Sequence, residues 1–338
     1  MRLEIVQKER EQSIKLVRIT KESEIPLIGN IFIGIIDRGT NLLQVRATTF
    51  CNMNCTFCST DAGKNSKWHK MNYIVDINYL AEEVEKIAKI KEDGLIIFLD
   101  SVGEPMSHPD FAELVGKLKK IKEVREVIVI TNGTFLTKKK IDELIEAGLD
   151  KINLSLHAFD SSLAKELFGM QSYDVNKILF AIDYIKNKID LMLTPVYLPG
   201  VNDDEIVKII KFAKEKNIKI GLQKYETYKY SRKMKKAKKQ TYWKFYDKIL
   251  KWEKEFDIKL RVNDKDFGVE KRERIPEIFR IGDKINVEIV CPGWLPEQMI
   301  GQAEGRCISV NKCYREIGEQ ARIKIIENKN SIYLAELI

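Results

Sequence analysis

The sequence predicts an α/β fold: six strands and intervening helices closing part-way into a (β/α)6 barrel, with a short β extension before it and a small β-barrel after it. Three observations predict this. Between about residues 43 and 223, short apolar runs alternate with amphipathic helical patterns, and strands joined by helices lie parallel because parallel neighbours need long crossovers. After residue 281 the pattern turns to short strands punctuated by Gly282, Gly301, Gly305 and Gly318, which suits a small closed barrel. Cys51, Cys55 and Cys58 follow the first apolar run directly, and a sheet of this kind binds its ligands at the C-terminal strand ends.

The 338 residues suffice for one large domain or two smaller ones with a substantial core. No apolar run reaches the roughly 18 residues of a membrane span. Met1-Arg2-Leu3-Glu4 is charged from the start, unlike a secretory leader. The expectation is a cytoplasmic protein with no membrane partner. Six cysteines fall into two groups of three, which in a reducing compartment points to metal or redox chemistry rather than disulfides. The net charge of +8 is modest, so its placement decides what it binds.

Residues 1–40 alternate apolar and charged positions, with Gly29 and Gly39 as punctuation, and read as an extension of short antiparallel strands. Core strands are expected at 43–50, 95–99, 127–130, 151–156, 191–196 and 218–223. Helices are expected at about 78–91, 111–122, 138–147, 175–188 and 203–216. Asn202 followed by Asp203, Asp204 and Glu205 supplies an N-cap and first-turn acids for the last of these. A further helix is expected at 242–256 and ends a core spanning 41–260. Residues 261–280, charged and aperiodic, read as a linker. Strands at 284–290, 305–311, 320–326 and 331–337 form the final module, 281–338.

The cysteine loop reads Cys51-Asn52-Met53-Asn54-Cys55-Thr56-Phe57-Cys58. Three thiolates on one short loop suit soft metal or an iron–sulfur cluster. A structural zinc site usually takes a fourth close ligand, and the nearest candidate is the distant His69. The spacing C-x3-C-x-aromatic-C after a first strand resembles the signature of the radical S-adenosylmethionine (SAM) superfamily. The resemblance implies a partial TIM-like barrel in which Cys51, Cys55 and Cys58 hold a 4Fe-4S cluster. It also implies SAM on the open iron, cleavage to a 5′-deoxyadenosyl radical, Phe57 near the adenine, and an electron donor such as ferredoxin or flavodoxin.

Further matches lie elsewhere. Asp100-Ser101-Val102-Gly103-Glu104-Pro105 resembles the family's Gly-Gly-Glu-Pro turn, with Val102 in place of the first glycine. The resemblance assigns Gly103 and Glu104 to the SAM ammonium. Thr131 and Asn132 end the third strand, and Ser155 and His157 the fourth. Thr194 begins a segment resembling the family's fifth-strand end. These five join Phe57, Gly103 and Glu104 as candidate SAM-binding residues. A simple turn at Asn132-Gly133 and a structural hydrogen bond from His157 stand beside those roles. Some family members carry a Lys where this chain has Met192, which leaves Lys224 as a candidate for the SAM carboxylate.

A second constellation runs through 224–246. Lys229, Arg232, Lys233, Lys235, Lys236, Lys238 and Lys239 are interleaved with Tyr225, Tyr228, Tyr230, Tyr242 and Trp243. Such cations neutralise phosphates and such rings stack on unpaired bases, although a solvated helix face has the same composition. The final module resembles a TRAM domain, a small RNA-binding β-barrel attached to several tRNA and ribosome modifying enzymes. Cys291, Cys307 and Cys313 within it are candidates for an auxiliary iron–sulfur cluster or for buried apolar packing. The whole resembles an archaeal-type group of iron–sulfur oxidoreductases. The expected function is radical SAM modification of RNA, most of all tRNA. The alternatives are radical chemistry on a lipid, peptide or small metabolite, and a non-catalytic RNA-binding protein with a structural metal.

Overall fold

The computed structural model describes residues 15–69 and 71–338; residues 1–14 of the expected extension lie outside the described residues. The chain divides into two compact units. One holds the chain up to Phe50 together with Ser66–Val127 and Val269–Ile338; the other holds Cys51–Asn65 and Ile128–Gly268.

In the first unit Gly34–Asp37 runs antiparallel to Leu42–Arg46, which lies parallel to Leu95–Leu99. Leu95–Leu99 is almost wholly buried, as a parallel strand covered on both faces should be. Helix Ile77–Lys91 starts where the Asp76 side chain accepts the amides of Asn78 and Tyr79, and it buries Leu80, Val84 and Ile87 at helical spacing. Lys15–Ile19 pairs parallel with Met71–Val75. This corrects the antiparallel arrangement expected there: alternation marked the strand but not its distant partner. The second half of the expected linker is also packed structure. Ile275 is 4% exposed, and its amide donates to Asp37, whose carboxylate pairs with buried Lys91.

The C-terminal strands Lys284–Pro292, Gln298–Ala303, Arg306–Asn311, Gln320–Glu327 and Leu334–Leu337 close into a barrel. All neighbours are antiparallel except Arg306–Asn311 with Leu334–Leu337. Alternate residues fill it, among them Val287, Ile289, Val310, Ile323, Ile325 and Tyr333. Gln298–Ala303 escaped the sequence reading because its glutamines and Gly301 blur the alternation.

In the second unit Ile128–Thr131, Lys151–Leu154, Asp190–Leu193 and Lys219–Ile220 form a parallel ladder. Helices Lys138–Glu146, Ser161–Phe168, Val175–Ile185, Asp203–Glu215 and Tyr242–Phe256 accompany it. Ser161–Phe168 was not expected. Asn202 stands at the N-cap of Asp203–Glu215 without capping it; its side chain instead accepts the Leu198 amide and donates to the carbonyls of His157 and Val196. No described helix is long and apolar enough to cross a membrane.

Candidate active site

The cysteine loop is seated on the helix that the sequence reading missed. The amides of Asn54 and Thr56 donate to the carbonyls of Phe168 and Leu167, at 3.1 and 2.9 Å. These are last-turn carbonyls, which no intrahelical donor satisfies. Gly169 ends the helix in the left-handed region, at φ 59°. A Cβ there would stand 2.2 Å from the Asn54 carbonyl oxygen. Asn52 ties the loop to the end of the strand Val124–Thr131: its amide donates to Thr134 Oγ1 at 2.8 Å, and Asn132 Nδ2 donates to Asn52 Oδ1 at 3.0 Å.

A third anchor comes from the cationic segment. The Arg232 amide donates to the Cys58 carbonyl at 2.9 Å. Its guanidinium donates to Asp61 Oδ1 at 2.6 Å, to the Cys55 carbonyl at 3.2 Å and to the Ala62 carbonyl at 2.6 Å. The ion pair is enclosed, with side chains 16% and 3% exposed. Arg232 thus turns toward the loop, apart from the other cations of its run.

The thiols sit in a setting made for charge sharing. Burial pushes the Cys55 thiol well above its ordinary range, the charges of Cys58 and Cys51 push it further, and the Arg232 guanidinium opposes them. Cys58 Sγ accepts the Ala62 amide at 3.4 Å and lies 3.3 Å from Thr60 Oγ1. Metal supplies the positive charge that three neighbouring thiolates require. Among the described residues no three His, Cys, Asp or Glu side chains converge closely enough to hold one metal ion. Three thiolates on one loop are the donor set a 4Fe-4S cluster would take, with Cys51, Cys55 and Cys58 to hold it.

Phe57 is 8% exposed and meets His157 edge-on, with ring centroids 5.0 Å apart. His157 Nδ1 accepts the Val196 amide at 3.1 Å, and Phe168 closes on its other side at 5.0 Å. Desolvation lowers the His157 pKa to about 3, so the ring is neutral with its proton on Nε2. The structural reading of His157 is the one its contacts support.

The ladder's register sorts the remaining candidates. Asn153 pairs with Ile130 and Met192, whereas Thr131 pairs with Leu154, which in turn pairs with Leu193. Thr131 therefore faces away from Asn153, and its Oγ1 accepts the Gly133 amide. Ser155 and Thr194 continue the Asn153 face by alternation. Asn153 Oδ1 and Thr194 Oγ1 are both buried without a hydrogen-bond partner. Orphaned polar atoms at C-terminal strand ends cost free energy unless a ligand meets them. Asn153 was not singled out in the sequence; only its two-residue offset from Ser155 could have flagged it.

In the first unit the turn Asp100–Pro105 is held from below. Arg46 forks onto Asp100, with Nε to Oδ1 at 2.9 Å and Nη2 to Oδ2 at 2.6 Å. The Glu104 amide donates to the Phe50 carbonyl at 2.6 Å. A Cβ on Gly103 would stand 2.2 Å from that same oxygen, so this glycine serves close backbone approach. Val102 fills the preceding position as a buried side chain. Glu104 is 2% exposed and accepts the Met106 amide.

Lys224 pairs with Glu226 at 2.9 Å and lies over the Tyr242 ring. Lys229, Lys233, Lys235, Lys236, Lys238 and Lys239 are exposed, with Lys236 near Glu166. Of the second cysteine group, Cys313 packs in the apolar core of the C-terminal barrel, and Cys307 donates its thiol proton to the Pro26 carbonyl. Burial raises the Cys291 pKa to about 12. All three are buried. A cavity of about 660 Å³ in the second unit is lined by Lys151, Met192 and Lys219, with two of its lining residues at the N-terminal strand ends.

Comparison with known proteins adds four likenesses. The sequence model of the Radical SAM superfamily matches residues 45–213. An uncharacterized protein of Methanocaldococcus jannaschii is 40% identical over 342 aligned positions, covering 93% of this chain and 79% of that protein. GTP 3′,8-cyclase of Staphylococcus aureus is 30% identical over 182 residues, covering 53% of this chain and 52% of the cyclase. This chain thus spans about half the length of the cyclase. Among solved structures, Streptococcus suis SuiB bound to S-adenosylmethionine aligns with a TM-score of 0.48 at 19% identity, over 65% of this chain and 49% of SuiB.

Proposed function

The chain belongs to the radical SAM superfamily, and on that footing we propose a radical SAM enzyme that modifies RNA, with tRNA as its substrate and a ferredoxin or flavodoxin as its electron donor. When bound, the 4Fe-4S cluster and SAM supply a 5′-deoxyadenosyl radical that removes hydrogen from carbons out of reach of polar chemistry. In this reading Cys51, Cys55 and Cys58 hold the iron. Phe57, backed by His157, offers a ring to the adenine. Thr194 and Asn153 offer their unpaired oxygens to polar groups of SAM.

The observation that carries the RNA reading is the surface of residues 228–246. Seven exposed lysines share it with Tyr228, Tyr242 and Trp243, which are 60%, 58% and 74% exposed. Large exposed rings among cations suit phosphate contact with base stacking. The closed C-terminal barrel and its TRAM-like sequence favour the same substrate class. The likeness to GTP 3′,8-cyclase favours a second reading, in which a small purine nucleotide is the substrate.

Anaerobically reconstituted protein, given SAM and reductant, is expected to form 5′-deoxyadenosine, and Cys55→Ala to form none. Affinity for tRNA is expected to fall steeply with salt, with a slope of about 0.9 per phosphate contact in log–log form. Mass spectrometry of tRNA nucleosides with and without the protein then names the product. Salt-insensitive tRNA binding combined with GTP-dependent deoxyadenosine release would replace the RNA reading with the nucleotide one.

A further inference from the structure

We infer that Arg232 is a positioning residue for the cysteine loop, and that with Asp61 it forms a buried charge pair that sets both the shape of the loop and the reduction potential of the cluster held there. The inference rests on membership of the radical SAM superfamily and is independent of the RNA reading.

The loop's backbone needs an external donor. Between Cys55 and Ala62 three carbonyls point to one side, and Arg232 meets all three: its amide donates to Cys58, and two guanidinium nitrogens donate to Cys55 and Ala62. A planar guanidinium reaches two carbonyls and a carboxylate at fixed angles, which a lysine ammonium on a flexible stem does not. Asp61 makes the burial of that cation tolerable. It lies 2.6 Å from Nε and holds a left-handed backbone at φ 54°, which turns it back into its own loop. The neighbouring segment fixes Arg232 in turn: the Met234 amide donates to the Tyr225 hydroxyl at 2.9 Å, and Thr56 Oγ1 lies 3.8 Å from Met234 Sδ. The cationic run is thereby latched to the loop through the one cation that turns inward.

A cluster's potential follows its net surrounding charge and the hydrogen bonds around its sulfurs. In the intact pair the two charges cancel. Removing Asp61 leaves a buried cation beside the cysteines and favours uptake of an electron. Removing Arg232 leaves a buried anion and disfavours it. A purely architectural pair would not move the potential in opposite directions.

The test uses the full chain, reconstituted anaerobically with iron and sulfide, with the midpoint potential read by mediated optical titration without SAM. Asp61→Asn is expected to raise the potential and Arg232→Gln to lower it. Arg232→Lys, which keeps the charge and loses the fork, is expected to hold the potential near that of the parent. The same variant should lose iron to a chelator faster, on the order of the 10-fold loss of metal affinity that removal of an outer-shell partner brings. Unchanged potentials in Asp61→Asn and Arg232→Gln, shifts of the same sign in both, or parent-like iron retention in Arg232→Lys would each overturn the inference. If Arg232→Gln does not fold, the Asp61→Asn potential and the Arg232→Lys retention still decide it.

Discussion

Gly169→Ala is expected to loosen the cysteine loop more than any ordinary glycine replacement. Its Cβ would stand 2.2 Å from the Asn54 oxygen, against an ordinary C···O contact of about 3.3 Å. The loop must therefore move by about 1 Å, or the helix end must. That displacement stretches the 2.9 and 3.1 Å hydrogen bonds from Thr56 and Asn54 beyond useful geometry. The left-handed backbone costs an alanine about 1 kcal/mol, the overlap about 1–3 kcal/mol, and each lost hydrogen bond about 1 kcal/mol. Since relaxation relieves some terms at the expense of others, about 2–4 kcal/mol is expected. Gly200 is the control: it too has a positive φ, +83°, but its nearest neighbour would be 3.7 Å away. Gly200→Ala should therefore cost only the backbone term, about 1 kcal/mol. Gly169→Asn separates conformation from space, because asparagine tolerates the left-handed region yet still brings a Cβ. Urea unfolding of the apo-protein and iron per chain after reconstitution provide the readouts. If Gly169→Asn unfolds like the parent and keeps its iron, close approach is not what this glycine provides, and the argument fails.

Three further outcomes are expected. Thr194→Val removes a buried hydroxyl that has no partner, so apo stability should hold or rise, while SAM affinity measured by calorimetry drops by about 1 kcal/mol. Equal SAM affinity would remove Thr194 from the site. Asp100→Ala strands Arg46, whose fork onto Asp100 is only 10% exposed on either side; a loss of about 3–5 kcal/mol is expected in urea unfolding, and a loss below 1 kcal/mol would contradict it. His157 has a folded pKa of about 3 against an ordinary 6.5. Between those values the unfolded chain takes up a proton and the folded one does not, so its stabilising contribution is complete above pH 6.5 and declines as pH falls, by about 1.4 kcal/mol per unit. His157→Asn retains an acceptor for the Val196 amide but removes this slope, which urea midpoints from pH 4 to 7 would show; parallel slopes would refute the buried neutral ring.

Local patterns were legible where neighbours in sequence decide them. The apolar run Leu95–Leu99 and the amphipathic helix Tyr242–Phe256 stand where the sequence places them. Helix Ser161–Phe168 was missed because eight residues offer little more than two turns of periodicity, although Asp160 before it and Gly169 after it are cap residues. Thr131 drew attention as a hydroxyl at a strand end, but facing is decided by a single step of register, which only pairing with Leu154 reveals. Arg232 was grouped with its neighbours because seven cations in one run look alike. What separates it is Asp61, 171 positions away in the chain.

The cysteine loop has almost no secondary structure of its own, so its shape must be imposed from outside. Helix Ser161–Phe168 imposes it through orphan carbonyls, Asn132 through a side-chain amide, and Arg232 through a fork onto carbonyls. Each of these supports acts on backbone or on Asn52. All three anchors involve candidate ligand-binding residues: Asn132 is itself one, Phe168 packs on His157 behind Phe57, and Arg232 belongs to the run of exposed lysines. Protection of the Asn54 and Thr56 amides from hydrogen exchange should rise when SAM binds to the reconstituted protein. It should stay unchanged in Gly169→Ala, where those amides have already lost their acceptors.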